Sequence, residues 1–406
     1  MNGDNQLISL RINVEQDCDQ DTLRIIRNFE WPPTEQIVDR DVTAKTGTNR
    51  KNGDQGSKRN FYLHHRVVHG GLLPAVVESW FPRDALHDYG LLLEDDVEVS
   101  PLFYAWIKMC VLKYRYAFLP WLLIHLFSFC NYRYGDPSNK SPHLFGISLY
   151  QQKHLELPIQ GRKPFNPRSL FSLSSAGKLN LEPTTPYLSQ IPCSWGALYF
   201  PEHWEEFHSF LAYRLSERSI IPLSTPIVPS VRSNFWLSSW KRFFIELVYL
   251  RGYVMLYPNF EGFVSLSTNH LEPGAHVKAS PLPPPFHSIN LVHPSHLNAS
   301  YLDVDKEREK RDLFRLPLMQ LPLLFESGLP TGNEAVNGTG LLQLPQNRLP
   351  SLDDLPTLNL TGHLSSQEVL QDQGDKRRRE IFGCVNGSSR FNSQPYSVLD
   401  LFCIKS

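Results

Sequence analysis

The stretch Tyr89-Gly90-Leu91-Leu92-Leu93-Glu94-Asp95-Asp96-Val97-Glu98-Val99-Ser100-Pro101 constrains this chain more than any other. The apolar run Leu91–Leu93 suits a buried strand, and it stops at three adjacent carboxylates. Ser100-Pro101 supplies a helix N-cap and a first-turn proline, so a helix is expected through Leu102–Lys113. The acids are therefore expected at the carboxyl end of a buried strand, where open α/β sheets hold ligands. Carboxylates packed this closely repel one another and are stabilised as a group by a cation. A hard divalent ion with oxygen ligands fits, and Mg²⁺ or Mn²⁺ is the type expected where phosphates are also bound. A solvated acidic turn is the alternative reading of the same residues.

This segment resembles the DxD-type motif of GT-A glycosyltransferases. It is most similar to the EDD-x-E-x-(Ala/Ser)-P segment of the N-acetylglucosaminyltransferase I group and of related family-2-like fungal enzymes. The resemblance implies an α/β fold with a GT-A-like mixed central sheet flanked by helices. It also implies that Asp96 holds Mn²⁺ or Mg²⁺, and that Glu94 and Asp95 face the ribose or sugar of a nucleotide-sugar donor, expected to be UDP-linked. Leu7–Val14 reads as a strand ending in Glu15-Gln16-Asp17-Cys18-Asp19, followed by a helix over Leu23–Phe29. That order resembles the second βα unit of the same enzymes, which makes Asp17 a candidate uracil contact; a helix N-cap box is the competing reading. On this reading the first strand of the fold is missing.

Two segments read as insertions, residues 38–60 and 117–134. The first is polar and basic. The second lies between near-repeats, Lys113-Tyr114-Arg115-Tyr116 and Asn131-Tyr132-Arg133-Tyr134, and its apolar part is too short to span a bilayer. His64, His65 and His69 are loosely spaced for a metal site, so Arg66–Val68 is read as a short strand and Leu72–Trp80 as a helix. Further on, Leu144–Tyr150 and Cys193–Pro201 read as strands and Glu202–Arg214 as a helix. The resemblance makes Trp195 and Gly196 candidates for the sugar junction. A helix running to Arg251 and a strand at Tyr253–Tyr257 precede an extended segment that ends at His270, a candidate metal or diphosphate ligand.

In the N-acetylglucosaminyltransferase I pattern an Asp at the Trp-flanked helix start is the catalytic base. This sequence has Leu237, Ser238 and Ser239 there, none of which can deprotonate a sugar hydroxyl. The substitutes are Glu205, Glu206, Glu246 and Glu272. From Pro281 to Ser406 the chain is Pro-rich and read as a partly ordered extension of a glycosyltransferase domain spanning 1–279. Lys376-Arg377-Arg378-Arg379 reads as a solvated basic face.

The 406 residues carry a formal net charge of −1, which gives no electrostatic case for a nucleic-acid partner. None of the six cysteines forms a CxxC pair, so a zinc module is not indicated. Sequons at Asn139, Asn298, Asn337, Asn359 and Asn386, with the resemblance, point to a secretory or Golgi-membrane setting, although Met1–Leu10 reads as neither signal nor anchor. The expected activity is metal-dependent transfer of a sugar to a carbohydrate or glycoconjugate hydroxyl, with inversion. A catalytically inactive relative with an interaction role is the alternative. The sequence contains no P-loop for a phosphotransfer enzyme.

Overall fold

The computed structural model describes residues 8–29, 61–84, 88–115, 141–173, 184–216, 221–270, 314–320, 349–383 and 396–403. They form two compact units, divided between residues 80 and 81. The proposed insertions 38–60 and 117–134 and the base candidate Glu272 lie outside the described residues.

In the first unit, strand β1 (Leu10–Val14) pairs in parallel with β2 (Phe61–His65), Leu10 opposite Phe61 and Val14 opposite His65. Helix α1 (Gln20–Arg27) is capped by Asp19, whose Oδ1 accepts from the N–H of Asp21 at 2.9 Å and of Thr22 at 2.8 Å. The cap is thus Asp19 and not Asp17. Helix α2 spans Leu72–Val77. The short strand expected at Arg66–Val68 lies at Phe61–His65 instead. Arg66 ends it because its guanidinium is drawn to Glu15 and Glu78, while Val67 and Val68 turn out to solvent.

The second unit runs β3 (Gly90–Leu92), β4 (Val97–Val99), α3 (Phe103–Tyr114), β5 (Leu144–Ser148), β6 (His154–Leu155), β7 (Lys163–Pro164), α4 (Pro167–Leu173), β8 (Tyr187–Ser189), β9 (Ala197–Tyr199) and α5 (Pro201–Leu215). It continues with α6 (Trp240–Arg251), β10 (Val254–Tyr257), β11 (Ser267–Asn269), β12 (Thr357–Leu358), β13 (Leu364–Ser365), α7 (Gln367–Phe382) and α8 (Val398–Leu401). Seven strands form a mixed central sheet in the order β13-β12-β8-β10-β5-β9-β3. The β10–β5 and β12–β8 pairs are parallel and the others antiparallel. The expected class, mixed α/β with a central sheet flanked by helices, is what is found.

Strands β5 and β10 are buried along their length, as their unbroken apolar runs require. Trp106, Ile107 and Cys110 of α3 pack with Ile147, Leu198 and Leu256 of the sheet. Phe145 and Tyr199 meet Phe244 of α6 at 5.2 and 5.4 Å between ring centroids, and Phe207 reaches it from α5 at 4.6 Å. Each such buried ring contributes about 2–3 kcal/mol.

The division expected near residue 279 is not a boundary. Strands β12 and β13 extend the sheet, and α7 packs against α6. Gly374 permits that approach, since a Cβ there would lie 2.5 Å from the carbonyl oxygen of Leu250. Two-residue strands leave no readable period in the sequence, so the extension looked irregular. Nor is the Lys376–Arg379 run a solvated face throughout. Arg378 is buried and donates to the carbonyl oxygens of Leu401 and Asp400. Arg377 donates to those of Ile227 and Pro226.

The strand directions give the sheet two rims. β3, β5 and β10 share one direction, and β8, β9 and β12 run against them. The carboxyl ends of β3 and β5 and the start of β9 therefore lie on one rim, and the carboxyl ends of β8 and β12 on the other.

Candidate functional site

Glu94, Asp95 and Asp96 occupy the turn between β3 and β4. A strand and the acids are present, but β3 is an edge strand of the sheet and not the buried strand expected, with Leu91 and Leu92 partly buried and Leu93 exposed, and β4 intervenes before the helix. Ser100 stands ahead of α3, its Oγ accepting from Leu102 N–H at 3.1 Å, and the helix begins at Phe103. β4 pairs antiparallel with β11, Val97 opposite Asn269 and Val99 opposite Ser267. The pairing continues one rung further, where His270 N–H donates to the Asp96 carbonyl oxygen at 2.8 Å. A residue from late in the chain is thereby fixed beside the acid turn.

The His270 side chain is oriented as well. Its Nε2 lies 2.7 Å from Glu98 Oε2. An ionised carboxylate only accepts, so Nε2 is the donor in this bond. A carboxylate that orients an imidazole in this way is the usual support of a metal-binding histidine. Glu94 is half-buried, and its pKa is pushed up to about 7, first by burial and next by the negative charge of Asp96. Lys241 and a hydrogen bond from the Trp240 indole pull in the other direction. A cation in the turn would relieve that repulsion. Carboxylate oxygens with one imidazole are donors of the type Mn²⁺ takes, but among the described residues the ligand atoms that converge within 4.8 Å are those of Glu15, Asp17 and His69, not those of the acid turn.

Trp195 and Gly196 form the adjoining wall. Gly196 has φ +87°, a region costly for residues with a Cβ, and such a Cβ would approach the side chain of Ser267 to 3.2 Å. The Ser267 hydroxyl donates to the Trp195 carbonyl at 2.6 Å, and Leu149 N–H to that of Gly196 at 2.9 Å. The half-buried Trp195 ring lies tilted against Phe314, centroids 4.5 Å apart, and meets Tyr150 edge-on at 4.8 Å. Lys241 Nζ lies 5.4 Å from the Trp195 centroid and is held by both Glu156 oxygens at 3.0 Å. The start of α6 thus faces the acid turn. Glu98, Glu156, Trp240 and Lys241 complete the site and were not singled out from sequence. Glu98 and Lys241 stood inside the motifs already quoted, and Glu156 had no local signal.

Two base candidates are corrected. Glu206 is buried, paired with Arg251 at 2.6 Å, and accepts from the Tyr253 hydroxyl at 2.6 Å. Glu246 is buried against Arg214 at 3.0 Å and Arg242 at 3.5 Å. Carboxylates buried in ion pairs, as these two are, are out of reach of a sugar hydroxyl. Glu205 lies on the solvent face of α5, and Ser239 sits at the N-cap of α6 without a side-chain cap bond.

In the first unit, Asp17 belongs to a different group. His69 Nδ1 lies 3.4 Å from Glu15 and 3.5 Å from Asp17, while Glu15 also accepts from Gly70 N–H at 3.0 Å. Their ligand atoms lie within 4.8 Å of one another. His64 is engaged elsewhere, 3.3 Å from Asn13, so the histidines adjacent in sequence do not converge.

Residues 41–122, which include the acid turn, match the family model described as SPBC1E8.03c C-terminal domain. No curated protein matches the chain. Among the described residues, no helix is long and apolar enough to cross a membrane.

Proposed function

We propose that the chain binds a nucleotide-sugar through a divalent cation and is a GT-A-type glycosyltransferase, transferring a sugar to a carbohydrate or glycoconjugate hydroxyl. The observation that carries this reading is the β4–β11 pairing, which joins the Asp96 turn to an imidazole oriented by Glu98. Asp96 and His270 would hold Mn²⁺, which when bound supplies positive charge to a departing diphosphate. Glu94 and Asp95 would face the ribose or sugar, and Trp195 and Gly196 would line the sugar junction. The sequons and a disulfide-bonded Cys403 support a secretory setting.

The test is calorimetric titration of UDP with and without Mn²⁺, on the native chain and on Asp96→Ala. Binding that needs Mn²⁺ and is lost in the variant is the expected result. A folded native chain that takes up no UDP sinks the reading. The second reading, a nucleotide-binding relative without transferase activity, is favoured by one observation: Glu206 and Glu246 are locked in buried ion pairs, and Ser238 and Ser239 stand where the family's base would be. UDP–Mn²⁺ binding without any release of sugar from UDP-sugar donors, followed by mass spectrometry, would select it.

A further inference from the structure

The rim opposite the acid turn carries a second concavity. Gln190 follows β8 and Asn359 follows β12, so both stand at the carboxyl ends of strands that run against β3 and β5. With Tyr249 of α6 and Gln373 and Lys376 of α7 they line a cavity of about 450 Å³. That volume lies within the roughly 300–1,000 Å³ of small-molecule sites. Tyr249 is nine residues beyond Trp240 on α6, about 14 Å along the axis at 1.5 Å per residue, so this cavity is separate from the acid turn.

Its hydrogen-bonding groups are largely uncommitted. Gln190 is 1% exposed. Its side-chain carbonyl accepts from Leu360 N–H at 3.3 Å, and its NH₂ donates to no described residue. The Asn359 carbonyl accepts from Thr361 N–H, Thr361 Oγ1 and His363 N–H, and its NH₂ likewise donates to no described residue. Burial raises the pKa of Tyr249, which keeps its hydroxyl neutral and able both to donate and to accept. An amide NH₂ without a protein acceptor can donate to a ligand oxygen.

Of the charged lining residues, Arg377 and Glu380 pair with one another at 3.0 Å, and Arg377 also donates to the Ile227 and Pro226 carbonyls. Lys376 shares the cavity with the Glu380 carboxylate. Val228, Val231 and Leu360 supply apolar wall. Amide donors, a neutral phenol, a carboxylate and an apolar wall match a ligand whose hydroxyls both donate and accept and whose C–H faces are apolar. We propose that this cavity binds a neutral saccharide of one or two pyranose rings.

The test is saturation-transfer NMR on the full chain made in a bacterial host, so that the Asn359-Leu360-Thr361 sequon carries no glycan. The probes are cellobiose, lactose, mannobiose and N,N′-diacetylchitobiose at millimolar concentration. At least one is expected to receive saturation from the native chain. Tyr249→Phe/Asn359→Asp, which removes two donors and keeps the turn acceptors, should weaken that sugar by at least about tenfold. Gln373→Ala, on the exposed side of α7, should weaken it without touching the core. Asp96→Ala should leave it unchanged, which separates this site from the proposed nucleotide site. No transfer to any of the four sugars overturns the proposal. So does transfer that survives both cavity substitutions, or transfer that disappears in Asp96→Ala.

Discussion

Glu246 and Glu94 are both acids of the second unit, and their surroundings are opposite. Glu246 on α6 is closed in by Arg214 and Arg242, and Glu206 on α5 by Arg251 and Tyr253. Glu94 shares its turn with Asp95 and Asp96, and the lysine that acts on it, Lys241, is already held by Glu156. In the helices each buried negative charge meets a dedicated cation, and the arrangement is complete without a ligand. In the turn, burial and the negative charge of Asp96 raise the pKa of Glu94. The same residue type is therefore matched by an arginine in one place and set against a like charge in the other.

The comparison breaks most visibly if an arginine is removed from the helical set. Arg214→Ala leaves Glu246 buried with its main partner gone and should cost about 3–5 kcal/mol in urea denaturation. Arg214→Met/Glu246→Leu should recover most of that loss, because an apolar pair of similar volume needs no charge compensation. If the single variant costs under about 1 kcal/mol, the helical acids are not held as described.

In the turn the opposite sign is expected. Glu94 has a folded-state pKa raised from 4.5 to about 7. Between those values the folded chain keeps a proton that the unfolded chain has lost, so stability falls as pH rises from about 4.5 to about 7 and is flat above. Glu94→Gln should therefore stabilise the metal-free protein at pH 8, by at most about 3 kcal/mol, and leave it nearly unchanged at pH 4. Thermal unfolding at the two pH values measures this, and destabilisation at pH 8 would refute the assignment.

The smallest effect on stability should come from Glu98→Ala. The Glu98–His270 pair is partly exposed, so its loss should cost under about 1 kcal/mol. Mn²⁺ affinity in the same variant should nevertheless fall about 10–100-fold, because His270 loses the partner that orients its ring. Equal affinity in variant and native chain, read by manganese titration, would remove His270 from the site.

Much of this was legible along the chain. Leu91–Leu93 ending at Glu94–Asp96 marked a strand with its acids at the carboxyl end, and the Trp240–Arg251 helix and the Val254–Tyr257 strand were found with small shifts in their limits. Three features were not legible, each because it depends on distant residues. β4 is three residues long and exists through its partner β11, so the sequence joined the acids directly to the helix. β12 and β13 are two residues each, and Leu358 is buried only because β8 lies beside it. Glu206 and Glu246 looked like candidate bases, since nothing in their own helices reveals an arginine arriving from another element.

The sequence by itself located β3, β5, β9 and β10 of the central sheet and the helices α3, α5 and α6, and it put three carboxylates at a strand end. Local periodicity and cap chemistry suffice for that, because they act over a few residues. The tertiary structure decided which carboxylates are paired with arginines, as Glu206 and Glu246 are. It also set His270 beside Asp96 and brought the C-terminal strands into the sheet. Those outcomes depend on pairing between residues far apart in the chain, and burial and Coulomb energies are settled only once the partners meet.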